Sequence, residues 1–294
     1  MIHAMILTLM AKAKTRRDQR PRYPTPMEMT ERDREIIHAV HEYRVLKQSQ
    51  ITRLFFRTGQ AASRVLQRLY HHGYLDRRLL PVVYGKSPTL YVVDRRGVEL
   101  LRTTLGLEEI VWYPSNKDLK LEFLEHTLAI NDVRIAITKA ACAPDFELRH
   151  WINETELKAD YDRVTIRRPS GKVQNVSLIP DSYLVLKTPF GLAHLFLELD
   201  RGTMSTERFL TKILAYQQYQ KSGAYTKRYN ARSMRVITVT SSEKRLASLK
   251  LATEKVGGSW QFSFAVLTDV NETNLFSSPI WQVAGKKERE LLFT

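Results

Sequence analysis

Cysteine is almost missing from this chain: its 294 residues include one, Cys142. A single cysteine excludes an internal disulfide framework, and no Cys/His spacing suits a zinc site. A reducing, cytoplasmic compartment is the expectation, with Cys142, inside Ala140-Ala141-Cys142-Ala143, read as core filler. Long apolar runs are missing too. The run from Met1 to Met10 is too short to span a bilayer, and its basic cluster follows it, whereas a secretory signal puts the positive region first. It reads as a frayed or partner-docking start, and no membrane partner is expected. Glycine-rich phosphate loops of the G-x-x-x-x-G-K-[ST] and G-x-G-x-x-G types are absent, as are a nucleophile elbow and a zincin helix. The histidines are scattered rather than clustered as metal ligands.

Acid is scarce relative to base. Lys and Arg number 46 against 31 Asp and Glu, a formal net charge of +15, which points to a polyanionic partner. The length suggests two domains, and a hydrophobic content of 43% is enough to give each a core. Residues 1–27 read as a basic flexible arm: Lys12, Lys14, Arg16, Arg17, Arg20 and Arg22, with Pro21, Pro24 and Pro26, a composition that does not fold alone. It suits either phosphate contact or a solubilising tail.

Residues 28–105 carry a second pattern. Thr30-Glu31-Arg32-Asp33 resembles a capping box, followed by an apolar stripe of Ile36, Ile37 and Val40. Further helices are expected over 47–55, 60–72 and 95–105, with strands over 79–83 and 90–93 flanking the turn Tyr84-Gly85-Lys86-Ser87-Pro88. Three helices and a β-hairpin make a winged helix-turn-helix, a relative of the motif that seats a recognition helix in the major groove. At about 100° per residue, Gln60, Ser63, Arg64, Gln67 and His71 share one face of the third helix; Ala62, Val65, Leu66, Leu69 and Tyr70 share the other. The polar face holds no acid and carries the side chains that read guanine and adenine edges, so double-stranded DNA is the expected partner. Arg77, Arg78 and Lys86 on the wing are then expected at phosphates.

Residues 106–118 read as a linker, and 119–294 as a second domain. Its order is a long helix to about Ala141, strands over 146–157, 163–168, 176–186 and 193–198, a helix over 205–221, a strand over 234–240, a helix over 243–255 and a strand over 262–267. The fold class is therefore α/β (α+β) with a mixed central sheet. Within it, Leu178-Ile179-Pro180-Asp181 and Phe196-Leu197-Glu198-Leu199-Asp200-Arg201-Gly202-Thr203 set carboxylates in otherwise apolar strands. Acids in such strands need a partner, and a divalent cation with oxygen ligands is the usual one. Tyr216 and Tyr219, at helical spacing, read as core packing.

With these phrases in neighbouring strands, the second domain resembles the PD-(D/E)xK nuclease fold. The whole architecture, over about residues 28–285, resembles the replication-relaxation family of plasmid and mobile-element proteins. The resemblance implies that Asp181 is the metal-binding Asp and Glu198 the second carboxylate, with Asp200 standing where the nuclease lysine is expected. Lys212, from the following helix, is the candidate replacement, provided it reaches Glu198. The implied ligand set is Asp181, Glu198 and Asp200 around Mg²⁺, with Mn²⁺ as substitute, and the implied catalytic set is Asp181, Glu198 and Lys212. Glu122 or Glu125, sharing a helix face with His126, would supply a further acid or simply a solvated face.

Three functions stay open on the sequence: a DNA-processing factor of a plasmid or mobile element with metal-dependent nicking or cleavage, a nuclease fold serving as a catalytically inactive DNA-binding platform, and a winged-helix transcriptional regulator. Replication or mobilisation proteins and a second copy of the chain are the candidate protein partners.

Overall fold

The computed structural model describes residues 19–21, 24, 26–79, 87–106, 121–168 and 171–293. The basic arm up to Asp18, the linker from Leu107 to Asp118 and Lys86 lie outside the described residues. The chain divides into two compact units, with the boundary between Leu128 and Ala129. That boundary falls inside a continuous helix, whose first turns pack Leu124 and Leu128 against Val45, Leu90 and Val92 of the first unit.

The first unit contains α1 (Glu31–Glu42), β1 (Leu46–Lys47), α2 (Gln48–Phe55), α3 (Gly59–His71), β2 (Leu75–Leu79), β3 (Thr89–Val93) and α4 (Arg95–Leu105). Its three strands form an antiparallel sheet in the order β1-β3-β2. The capping box at Thr30 is present: Thr30 Oγ1 accepts from Asp33 N at 3.2 Å, and the Asp33 carboxylate accepts from Thr30 N at 3.0 Å. The buried Asp33 carboxylate also takes Arg68 Nη2 at 2.6 Å, which ties the start of α1 to α3. Ile36, Ile37, Val40, Ile51, Leu66, Leu69, Leu75 and Leu90 fill the core. The strand β2 begins at Leu75, as the phrase Gly73-Tyr74-Leu75 leads one to expect, and residues 80–83 of the expected hairpin strand lie outside the described residues. Gly73, at φ 76°, ends the helical turn and lets the chain enter the sheet at once.

Helix α4 crosses the hairpin at Gly97. A Cβ there would lie 2.3 Å from the Tyr74 carbonyl oxygen and 2.7 Å from Val93 Cγ1. Backbone cannot yield as a flexible side chain can, so Gly97→Ala is expected to destabilise the unit by about 1–3 kcal/mol. Urea unfolding at the wild-type midpoint checks this; an unchanged midpoint would show that α4 does not sit this close.

The helix α5 (Leu121–Ala140) bridges the boundary. The second unit continues with β4 (Glu147–Asn153), α6 (Glu154–Ala159), β5 (Asp162–Arg167), β6 (Val173–Leu178), β7 (Ser182–Thr188), β8 (Gly191–Asp200), α7 (Thr206–Lys221), α8 (Ala224–Tyr229), β9 (Arg235–Thr240), α9 (Glu243–Lys255), β10 (Phe262–Val266), β11 (Trp281–Val283) and β12 (Arg289–Glu290). Seven strands form one mixed sheet, in the order β12-β11-β10-β9-β8-β7-β4, parallel only at β8-β9 and β9-β10. One face buries Val133, Ala136 and Ile137 of α5 against Leu184, Leu197, Ile237 and Trp281. The other buries Phe209, Ile213 and Tyr216 of α7 and Leu246 and Leu249 of α9 against Phe196, Val236 and Phe264. Helices on both faces of a mixed sheet make this an α/β fold.

Three expectations need correction. The strand read over 176–186 is two strands. Pro180 has no N–H to give a ladder, and the break around it sends β6 into a separate ribbon with β5 while β7 enters the main sheet. The strand read to Leu157 ends at Asn153, because Asn153 and Glu156 form a capping box that starts α6. Cys142 is exposed in the turn after α5, with Sγ donating to Thr138 O at 3.5 Å, so it does not fill the core.

Candidate functional sites

The carboxylates are placed by the sheet. Asp181 sits just before β7, and its N–H donates to Leu197 O at 3.1 Å, which sets it opposite Glu198 on the neighbouring strand. Its own Oδ2 accepts the Leu199 N–H at 2.6 Å. Glu198 faces α7 because Phe196, two residues earlier on the same face, packs under Tyr216. On α7, Lys212 and Tyr216 are one turn apart and share the face turned to Glu198. Lys212 Nζ stands 2.5 Å from Glu198 Oε2 and 3.4 Å from Ile179 O, and Tyr216 Oη donates to Glu198 Oε1 at 2.7 Å. The structure therefore brings together Asp181, Glu198 and Lys212.

Tyr216, expected only as core packing, joins them. It is fully buried and does both: its ring packs on Phe196 while its hydroxyl holds Glu198. The i, i+4 spacing from Lys212 was the available signal.

The site is electrostatically loaded. Burial raises the Glu198 carboxyl above its ordinary range and the Asp181 charge adds to this, against the opposing pull of Lys212. Burial alone would lower the Lys212 ammonium, but the Glu198 and Asp181 charges outweigh it and its pKa ends up raised. Glu154, at the start of α6, contributes in the same direction. Tyr216 is pushed well up, by burial first and then by Glu198, so its hydroxyl stays a donor.

Asp200 goes elsewhere. It is buried at the end of β8 and takes Arg245 in a fork, Nε to Oδ2 at 2.7 Å and Nη2 to Oδ1 at 3.0 Å, with Thr240 Oγ1 at 3.2 Å and Gly202 N at 3.3 Å as further donors. Glu125 and His126 belong to the first unit, and the side chain of Glu122 lies outside the described residues.

A magnesium ion does not fit this donor set as placed. Both oxygens of Glu198 are engaged by Lys212 and Tyr216, and both oxygens of Asp200 by Arg245. Among the described residues no three His, Cys, Asp or Glu side chains are grouped to hold a metal ion.

In the first unit, α3 buries Ala62, Leu66 and Leu69. Gln60 and Arg64 are exposed, and Ser63, Gln67 and His71 are partly buried. His71 tilts against Tyr70, with ring centroids 5.6 Å apart. Tyr70, expected inward, is only partly buried and carries Arg77 3.7 Å and Arg20 4.6 Å from its ring centre. Arg78 pairs with Asp76 at 2.9 Å, which ties its charge back to its own strand.

Among the described residues no helix is long and apolar enough to cross a membrane. No curated protein and no solved structure matches the chain. The model of one family, replication-relaxation, matches residues 37–233, about two thirds of the 294 residues and including α3, Asp181, Glu198 and Lys212. The chain belongs to the replication-relaxation family.

Proposed function

We propose that this protein binds double-stranded DNA in the replication of a plasmid or other mobile element, gripping it through a winged helix in the first unit. The second unit, on this reading, is a PD-(D/E)xK-like fold whose acid–lysine centre is closed by its own ion pair and serves as a platform. The observation that carries DNA binding is α3. Its apolar residues are buried, while Gln60, Ser63, Arg64 and Gln67 lie along an acid-free face of a chain with net charge +15. Arg presents two donors to guanine O6 and N7, and Gln a donor–acceptor pair to adenine, worth about 1–3 kcal/mol of discrimination for each well-made pair. The observation that carries the platform is Glu198, whose two oxygens are both already bonded within the protein.

A second reading, Mg²⁺- or Mn²⁺-dependent nicking, is favoured by the juxtaposition of Asp181, Glu198 and Lys212, the three groups that the nuclease resemblance names.

One experiment addresses both. Wild type, Arg64→Ala/Gln67→Ala, Glu198→Ala and Glu198→Gln are each incubated with supercoiled plasmid in Mg²⁺, Mn²⁺ or EDTA. Plasmid retarded but uncut, alike for wild type and both Glu198 variants, is the expected result. The α3 double variant should lose about ten- to a hundredfold in affinity for a preferred site and keep its salt-dependent background. Unchanged site affinity would remove α3 as the reading helix. Metal-dependent open circles, lost in Glu198→Gln, would replace the platform with a nuclease.

A further inference from the structure

The ribbon of β5 and β6 is a sheet of its own, and its side chains alternate strictly. Val164 and Ile166 of β5 and Leu178 of β6 turn inward and share a core with Phe209 and Ile213 of α7. Arg163, Thr165 and Arg167 of β5 and Val173, Asn175 and Ser177 of β6 are all exposed. The register sets these outward residues opposite one another: Arg163 against Ser177, Thr165 against Asn175 and Arg167 against Val173. Thr165 Oγ1 donates to Asn175 Oδ1 at 2.7 Å, which leaves the Asn175 amide NH2 as a donor. Lys172 is exposed just before β6.

The two faces of the ribbon treat charge differently. Its one acid, Asp162, falls in the inward series, where Tyr219 Oη donates to it and Arg228 Nη1 lies 3.4 Å away. Arg168, at the other end of the same series, donates to Gln174 Oε1 at 3.0 Å, Glu207 Oε1 at 2.5 Å and Thr211 Oγ1 at 3.1 Å. These bonds fasten both ends of the ribbon to α7, so the outer face is held in place before any ligand arrives. On that face Arg163 donates to the neutral Tyr161 Oη at 3.2 Å. Among the described residues no carboxylate pairs with Arg163, Arg167 or Lys172. The inward arginine is neutralised and the outward cations are not, which suits a polyanion.

We infer that the outer face of the β5-β6 ribbon is a second DNA-contacting surface, laid on the major groove of a duplex with Arg163, Arg167 and Lys172 at phosphates. The inference rests on the DNA-binding reading above and gives the platform of the second unit its contact surface. The shape points to a duplex, because a major groove about 12 Å wide admits a two-stranded ribbon. Arg163 and Arg167 stand four residues apart on one strand, about 13 Å at the usual rise. That separation reaches phosphates on both sides of the groove, with Thr165 and Asn175 over it. A protein-docking face has an apolar, aromatic centre, whereas of these six outward side chains only Val173 is apolar.

The test uses the full chain and fluorescent duplexes, with anisotropy titrations between about 50 and 200 mM salt. Removing three phosphate contacts lowers the slope of log affinity against log salt by about 2.7. The advantage of wild type over Arg163→Gln/Arg167→Gln/Lys172→Gln should therefore shrink about fortyfold across that range. The weakening should be alike for every duplex sequence, whereas the α3 double variant loses affinity for the preferred site. Arg163→Lys/Arg167→Lys keeps the charges and should keep the wild-type slope; thermal melts of each variant confirm its fold. A wild-type slope in the triple variant overturns the inference, and so does a charge-keeping variant that weakens as much as the triple one. A triple variant that binds DNA normally but no longer self-associates would make the face an interface between copies instead. If the intact chain shows no salt-dependent binding, it is the DNA-binding reading that has failed; if the chain binds and only the α3 variant weakens, the ribbon alone has.

Discussion

Replacing Lys212 by methionine is expected to lower the melting temperature of the second unit by roughly 6–12 °C at neutral pH. Glu198 is only 5% exposed and Lys212 26%. Removing one partner of a buried pair costs about 3–5 kcal/mol, because the other charge is stranded in a poorly solvating site. The partial exposure of the lysine puts the effect at the low end, about 3 kcal/mol, and each kcal/mol shifts a domain of this size by roughly 2–4 °C. The pH dependence supplies a second signature. The Glu198 carboxyl is raised by burial and by Asp181, so the folded protein holds that proton more tightly than the unfolded chain. Stability from this group is fully present below the ordinary carboxylate range and is lost as pH rises through the raised value. The Lys212 ammonium is raised as well, by Glu198 and Asp181 overriding burial, so its contribution persists through neutral pH and disappears only in strong alkali. Lys212 therefore stays charged at pH 7. Lys212→Met should recover part of its lost stability on acidification, as Glu198 takes up a proton. Thermal melts of both proteins at several pH values check this. A variant that melts like wild type at neutral pH, or that gains nothing in acid, would show that the ion pair is not what neutralises Glu198.

The meeting of Lys212 with Glu198 was legible because it depends on short-range geometry. A strand, a tight turn containing Gly202 at φ 84° and a helix starting at Thr206 return the chain across the strand it has just left. Two side chains 14 residues apart on such a strand-turn-helix unit have few other places to go. The buried and outward faces of α3 were legible for the same kind of reason, since helical period alone separates Leu66 and Leu69 from Arg64. The fate of Tyr70 was not. Its ring is set by Arg20, fifty residues earlier, and by Arg77 on the next strand, and periodicity carries no information about either. The split of β6 from β7 was written at Pro180 but masked by the apolar residues on both sides, which look the same whether a run belongs to one sheet or two. Asp200 is the clearest case. In the sequence it stands beside Glu198 and looks like its companion in a ligand set. Its actual partner is 45 residues away on α9, and only the parallel placement of β9 beside β8 brings that helix over the end of β8.

That placement makes Arg245 the other position where a large effect is expected. Its guanidinium forks onto both Asp200 oxygens and also donates Nη2 to Met204 O at 2.6 Å, so one side chain fastens the end of β8, the following loop and α9. The Asp200 hydrogen bonds, followed by its charge, raise the Arg245 pKa, so the cation is present at any practical pH. Arg245→Leu would leave Asp200, 3% exposed, without its counter-charge and is expected to cost about 3–5 kcal/mol. Arg245→Lys keeps the charge but not the planar fork, so it should recover only part of that. Asp200→Asn in the Arg245→Leu background removes the stranded charge and should return more than half of the loss, which a double-mutant cycle by urea unfolding would resolve. If Asp200 instead belonged functionally with Glu198 and Asp181, the two substitutions would add independently. Asp200→Asn alone would then alter DNA processing while leaving the stability of the α9 junction intact. A coupling of several kcal/mol between Asp200 and Arg245 would assign this acid to the architecture of the fold, and leave Asp181 and Glu198 as the carboxylates on which any chemistry of the second unit has to be built.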